Sequence, residues 1–446
     1  MPSSEHPSSP ELSTSQRRAI PAALLTLFLD LVGFSIVFPL FPGMLQFYLE
    51  REGTQGVLGW VLSLADRIGT LSGISESFTP VLFGGILGSL YSLLQFGMAP
   101  LWGAVSDRLG RRRVLLITVG GTALSYLLWV VAGSFWLLLL SRALGGMMSG
   151  NISVTTAAVA DLSDRKGRSK AMGLVGATFG AGFVLGPALG ALFVLWNPVA
   201  QFPDAAMLGL NPFSGAALGA LALTLFNWIW VWKVFPETLS HELRSKAKPM
   251  REYNPFGALF AASESGVRRA SFLNFFFLLS FSGMEFTLSF LGVSRFGFGV
   301  HQITAMMVFV GFVLIAVQGG LVRRLAPRLG EKPMVLAGVS LTLIGLAWMA
   351  QASSVASLYG SLSLMAIGAG MVSPCLSALL SLYASEQSQG RSMGSFRAWG
   401  ALARAAGPLL AGFVFWWAGS SSAYLLGAAL MLIPILIGIS LPKAVK

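Results

Sequence analysis

Charge is scarce in this sequence. Only 11% of its 446 residues are Asp, Glu, Lys or Arg, less than half the share of about 25% usual in a soluble globular chain. Cys375 is the single cysteine, which excludes an intrachain disulfide and a cysteine-built metal site. With only His6, His241 and His301 as imidazoles, no cluster of His, Cys and carboxylates can hold a metal. No GxxxxGK(S/T) string occurs, so nothing in the chain points to ATP hydrolysis on such a loop. No cofactor is expected. What is plentiful is apolar: 54% of residues are hydrophobic, 52 are glycine, and mean hydropathy is +0.73. Two or three ordinary cores cannot hide so much apolar surface, so lipid must be the solvent. Soluble enzyme, fibre and disordered classes are excluded.

A helix crossing ~30 Å of hydrocarbon needs about 20 apolar residues. Twelve runs qualify, at 19–46, 78–104, 113–132, 135–159, 170–196, 213–235, 271–291, 302–322, 333–350, 356–383, 391–417 and 423–441. The spacing predicts an all-α membrane protein with twelve transmembrane helices in two pseudo-symmetric six-helix bundles, residues 19–235 and 271–441. Residues 1–18, Ser/Pro-rich at their start, read as a disordered cytoplasmic tail and 442–446 as a second one. They form no signal peptide, because the run that follows is too long and lacks a small-residue cleavage pattern. Residues 47–77 form a long outer loop in which 57–68 is expected to make a short interfacial helix, and 236–270 a charged cytoplasmic linker.

Formal net charge is +12, a value that in a soluble chain would suggest nucleic acid. The positions of the charges overturn that idea. Of the 30 Lys and Arg, 24 fall in segments on the side of the termini, three (Arg51, Arg67, Arg295) on the other side and three inside spans. By the positive-inside rule both termini are cytoplasmic, in a cell (inner) membrane, and the basic excess is topology.

The halves echo each other. The string RLG at Arg108 returns at Arg328, 220 residues later, and the pair Gly186-Pro187 returns at Gly407-Pro408, 221 later. Such an offset argues for duplication of a six-span unit, as in repeat-built carriers.

The string GAVSDRLGRRR, Gly103 to Arg113, lies in the cytoplasmic turn between spans two and three. Its glycines allow a tight turn, Asp107 can cap a helix or pair with arginine, and a basic loop by itself sets topology. The spacing resembles the signature of the major facilitator superfamily, which implies an inner-gate latch formed by Gly103, Asp107, Arg108, Gly110, Arg111 and Arg112. The stretches 29–42, 93–116, 141–146, 160–164 and 180–190 are similar to the twelve-span drug:proton antiporter group that includes tetracycline exporters. The strings 281–290 and 400–409 look most like the animal tetracycline-transporter-like members. By that resemblance Asp161 joins the gate. So does Gly182-x-x-x-Gly186-Pro187-x-x-Gly190, where tight helix packing is the simpler reading.

Independently of any family, ionisable groups inside spans are functional candidates. Asp30 lies ~16 Å deep in the first span and Glu285 ~21 Å deep in the seventh, near mid-membrane, so either could carry a proton or serve as a neutralised counter-ion. Arg142 is the expected partner of Asp30, since the resemblance links the Arg of SRALGG to proton transfer. Arg397 and Arg404, seven apart, share one helix face; Arg404 either pairs with Glu285 or meets an anionic substrate. Gln95, Asn227, Asn274 and Gln318 could line the cavity or bond neighbouring helices. Asn151-Ile152-Ser153 matches a glycosylation triplet but lies inside a span. Tetracycline exporters carry an additional Asp in the third span, and this chain has none there, which disfavours chelated metal-tetracycline.

These readings combine into a monomeric, proton-coupled secondary transporter in contact with membrane lipids that exports an amphipathic, anionic small molecule by alternating access. The alternatives are uptake or facilitated release of a lipid-like or anionic metabolite, and a non-transporting sensor or scaffold. Nucleic acid is not an expected partner.

Overall fold

The computed structural model describes residues 14–53, 56–60, 63, 79–162, 168–239, 244, 257, 264–384 and 389–442. These are helices and turns. In chain order they include α1 (Thr14–Ser35), α2 (Phe41–Glu52), α3 (Thr79–Leu109), α4 (Arg111–Val130), α5 (Phe135–Met148), α6 (Asn151–Asp161), α7 (Arg168–Val194) and α8 (Ser214–Val234). The second half carries α9 (Ser265–Phe296), α10 (Val300–Ala316), α11 (Arg323–Leu329), α12 (Glu331–Ala350), α13 (Val355–Tyr383), α14 (Gln389–Leu430) and α15 (Leu432–Ile439). Many outward faces are as apolar as the cores: Leu127, Trp136, Phe226, Trp232 and Leu436 are all exposed. A helix hydrophobic on every side belongs in lipid. Among the described residues, ten helices are long and apolar enough to cross a membrane. Gly419 breaks the last of these segments, Ser395–Ile439, at φ 81° and ψ 170°.

The internal repeat is visible as geometry. Gly110 (φ 96°, ψ 152°) starts α4, and Gly330 (φ 86°, ψ 160°) starts α12, 220 residues later. Both turns sit in the left-handed half of conformational space, which favours glycine. α4 and α12 each run 20 residues. Ser134 caps α5 by accepting from the Leu137 N–H at 3.4 Å, and Ser354 caps α13 by accepting from Ser357 at 3.2 Å, again 220 apart. Arg112 donates to the Trp232 carbonyl, and Lys332 donates to the carbonyls of Ile439 and Leu441. Each repeat thus ties its third helix to the end of its sixth.

Within the first half α1 packs on α7, and within the second α9 packs on α14. Gly186 sits so close to α1 that a Cβ would strike Ser35 and approach the Val32 carbonyl to 2.7 Å; Gly407 meets Ser282 and the Leu279 carbonyl in the same way. Ser35 donates to the Gly182 carbonyl at 3.1 Å and Ser282 to the Ala403 carbonyl at 3.4 Å. Both carbonyls lie four residues before the Gly of a Gly-Pro pair. A hydroxyl from the first helix of each half therefore reinforces the backbone beside a proline that has no N–H.

The halves meet where α14 packs on α3 and α10 on α7. Away from the terminus-bearing side, the Phe41 and Phe286 rings stand 6.1 Å apart across this seam, and Ser289 donates to the Phe38 carbonyl at 3.4 Å.

Several expected boundaries move. The run 135–159 breaks at Ser149–Gly150 into α5 and α6. The linker ends earlier than 270, because α9 begins at Ser265; a charged first turn extends an apolar helix into water at little cost. The outer loop begins later than 47, since α2 continues to Glu52. Residues 56–60 are helical; most of the rest of the expected interfacial helix lies outside the described residues, as do most of the N-terminal tail and of the linker. The run 302–322 ends in a widened π turn, Val317–Val322, and continues as α11.

Candidate functional site

A cavity with about 590 Å³ of empty space opens between the halves. Phe34, Val37, Phe38 and Phe41 form one wall, Leu87, Gly88, Tyr91 and Ser92 of α3 another. The second half supplies Ser282, Glu285 and Phe286 from α9 and Arg404 and Pro408 from α14, and Arg142 enters from α5. Most of the lining is aromatic or aliphatic. Three charged side chains in a mainly apolar wall make this the site where chemistry is concentrated. A smaller space of about 330 Å³ inside the second half, lined by Met284, Leu346 and Tyr424 among others, has no charged side chain.

Arg142 is 4% exposed. Its guanidinium lies over the Trp129 ring at 4.8 Å and the Tyr126 ring at 5.8 Å, a cation–π cradle. One terminal nitrogen donates to Ser141 at 3.4 Å, and Nε has no hydrogen-bond partner. Aromatic faces hold a cation without neutralising it, so the positive charge stays available to the cavity.

The expected pairing of Asp30 with Arg142 does not form. Asn151, the first residue of α6, donates its amide to the Asp30 carboxylate at 2.7 Å. This amide sits at the break that starts α6 and reaches across to α1. Asp30 is also absent from the cavity wall, so the two carboxyls do not share one interior. Tyr91 and Tyr126 lie within electrostatic reach of both Asp30 and Arg142.

Glu285 and Arg404 do face one cavity. They attract one another, yet no ion pair joins them among the described residues. Arg397 lies two turns from Arg404, within its electrostatic reach and outside the wall. One spacing explains why α14 serves the site: Arg404 and Pro408 are one turn apart, on the face turned to α3 and α9.

The polar residues proposed as cavity liners go elsewhere. Asn227 donates to the Thr26 carbonyl at 3.2 Å and bonds α8 to α1. Asn274 lies against Gly400 of α14, and Gln318 against Gly180 of α7 at the seam. Gln95 is half-buried on α3, outside the cavity wall. An amide in a span finds a helix neighbour more cheaply than a ligand.

The turn between α3 and α4 is a compact ionic knot. Arg111, 5% exposed, bridges Asp107 at 2.7 Å and Asp161 at 3.0 Å. Glu237 accepts from the backbone N–H groups of Arg111 at 2.8 Å and Arg112 at 3.3 Å and pairs with Arg244 at 3.4 Å. A carboxylate there satisfies orphan donors and complements the dipole of α4. Arg108 is exposed and Gly103 only half-buried. Gly110 has no room for a Cβ beside Glu237. Gly182, Gly186 and Gly190 form the α1–α7 packing stripe, with Pro187 buried inside α7.

Sequence reasoning missed Glu237, which lay in a segment read only as linker, and the aromatic wall, since aromatics abound everywhere. It set Asn151 aside as a chance triplet. An uncharged polar residue one helix turn deeper than SRALGG, at a Gly-rich break, was the available signal.

The chain matches the family described as Major Facilitator Superfamily over residues 23–408 and 321–444. It is 36% identical over 442 residues to the human major facilitator superfamily domain-containing protein 10, covering 94% of this chain and 92% of that one. It is 28% identical to the class C tetracycline resistance protein of Escherichia coli, with 93% and 95% covered. A crystal structure described as the human organic anion transporter MFSD10 (TETRAN) superposes with a TM-score of 0.78 at 34% identity, over 95% of this chain and 99% of that one.

Proposed function

Because the chain belongs to the major facilitator superfamily, we propose that it is a proton-coupled secondary transporter of amphipathic organic anions. It is a multi-pass membrane protein and a transporter, not an enzyme. The observation that carries the reading is the cavity at the seam, where Arg142 and Arg404 approach from opposite halves and Phe34, Phe38, Phe41 and Phe286 supply an apolar bed. An anion meets the guanidinium groups while its hydrophobic body lies on the rings. The solved human relative described as an organic anion transporter supports the same substrate class.

Twelve crossings, counted from the helices and the break at Gly419, would place both termini on the basic, cytoplasmic side of a cell membrane. The halves rock as two bodies about the seam, and the Asp107–Arg111–Asp161 knot with Glu237 holds the inner ends of the first half in register. The Gly182–Gly190 stripe lets α1 and α7 move together. Glu285 is the carboxyl on the substrate's path, and Asp30, held by the Asn151 amide, hands on the same proton rather than a second one. Export is supported by the relatives named as tetracycline resistance proteins. Uptake or release of an anionic metabolite is the second reading, favoured by the cationic surplus of the cavity. The protein works as a monomer.

Replacing Arg404 with alanine tests the site. In proteoliposomes, R404A is expected to lower the affinity for a labelled aryl sulfonate at least tenfold while the purified protein stays monodisperse. Unchanged affinity would remove Arg404 from the substrate's path.

A further inference from the structure

The charges on the cavity wall fix more than the sign of the substrate. With Glu285 ionised, the two arginines and one carboxylate leave the empty cavity with a single positive charge. An organic monoanion that enters alone brings the cavity to zero and sets its own charge against Glu285. A proton that enters alone raises the cavity to two positive charges, in a wall whose other members are mostly phenylalanine, leucine, valine and proline. Only when one anion and one proton are both present does the loaded cavity carry the same charge as the empty one.

We infer that the anion and the proton bind together and cross in the same direction, one for one, as electroneutral symport. The inference rests on the organic anion reading above and chooses between its two directions. A proton gradient directed inward drives accumulation of the anion, the reverse of export by exchange.

The lining of the cavity supports this. Arg404 of α14 is the cation within electrostatic reach of Glu285, while Arg142 of α5 and Tyr91 of α3 belong to the same wall. The other carboxylate inside a span, the half-buried Asp30, is engaged by the Asn151 amide and lies outside the wall. Its charge is therefore not the one a substrate displaces. Protonating Glu285 places the proton on a carboxylate oxygen and removes the attraction that holds Arg404 toward α9. The same step removes a negative charge from the substrate's surroundings. For charges about 6 to 10 Å apart at an effective dielectric near 20, that change strengthens anion binding roughly 10- to 100-fold. Linkage is reciprocal, so the anion tightens proton binding by the same factor. Exchange would require the opposite sign, with the substrate expelling the proton, and a cationic substrate would supply it. An anion cannot.

The test uses naphthalene-1-sulfonate, an amphipathic anion that stays ionised from pH 5 to pH 9 and so carries no proton itself. Binding to the purified full chain is expected to weaken at least tenfold from pH 5 to pH 9. In proteoliposomes its uptake should rise several-fold when the outside is more acidic than the lumen, and should not respond to a potential set with potassium and valinomycin. In E285Q, binding should hold at the acidic-limit affinity across that range, and the pH gradient should no longer stimulate flux. Binding that strengthens with pH, uptake stimulated by the opposite gradient, or a flux that follows membrane potential would each overturn symport while leaving an anion transporter. No binding at any pH would overturn the anion reading itself. The wild-type pH series decides the question even if E285Q fails to fold.

Discussion

Asp30 and Glu285 show how one residue type is given two environments. One carboxylate is held by an amide from the start of α6, and the other stands in a wall shared with two arginines. Replacing Asp30 with asparagine separates their duties. D30N is expected to slow proton-driven flux at least tenfold and to change naphthalene-1-sulfonate affinity less than threefold; flux at the wild-type rate would take Asp30 out of the coupling. Arg142 illustrates a different economy. Rings rather than an acid hold it in place, and an aromatic cradle worth about 2 kcal/mol when desolvated keeps its charge unspent. The sequence could mark these ionisable side chains because charge in a lipid-solvated span is rare and conspicuous. It could not assign Asn151 to Asp30, because the partner sits 121 positions away and is uncharged. The amides Asn227, Asn274 and Gln318 look alike in sequence whether they bond a helix or a ligand, and only packing separates the two.

At the scale of the helix, legibility was higher. Apolar runs marked the helices, and the offset of 220 to 221 residues marked the halves as copies of one unit, which the matching turns at Gly110 and Gly330 repeat as geometry. What period and hydropathy could not reveal was discontinuity. The Ser149–Gly150 break and the π turn at Val317–Val322 lie inside runs apolar enough overall to read as single spans. Glycine spacing, in contrast, was a faithful guide to close approach. Enlarging Gly186 to alanine would drive a methyl group into Ser35 and toward the Val32 carbonyl. Such overpacking costs about 1 to 3 kcal/mol, and G186A should melt several degrees lower in detergent. The same change at Gly176, where a Cβ meets no atom within 4 Å, should leave melting near the wild-type value. Equal melting points for the two variants would contradict the stripe as a packing contact.

The whole molecule is two bundles closed against each other on the side away from the termini, by Phe41 with Phe286 and by Ser289 with the Phe38 backbone. If transport requires that seam to part, fastening it must stop flux. The buried Cys375 is the only native thiol, so C375S gives a clean background. Adding F38C and S289C to it should give a protein whose transport falls at least fivefold on oxidation and recovers with reductant. Full flux in the cross-linked form would mean that the seam stays shut throughout the cycle. Within the second bundle a different brace operates. Arg295, in the last turn of α9, donates to the carbonyls of Met349, Ala350 and Ala352 and to the hydroxyls of Ser420 and Ser421. One side chain thereby pins three helix ends into a tripod that moves as a single solid. A nanobody raised against that tip would ride on the bundle without bending it, giving electron microscopy a fixed bearing from which the swing of the opposite half could be measured frame by frame.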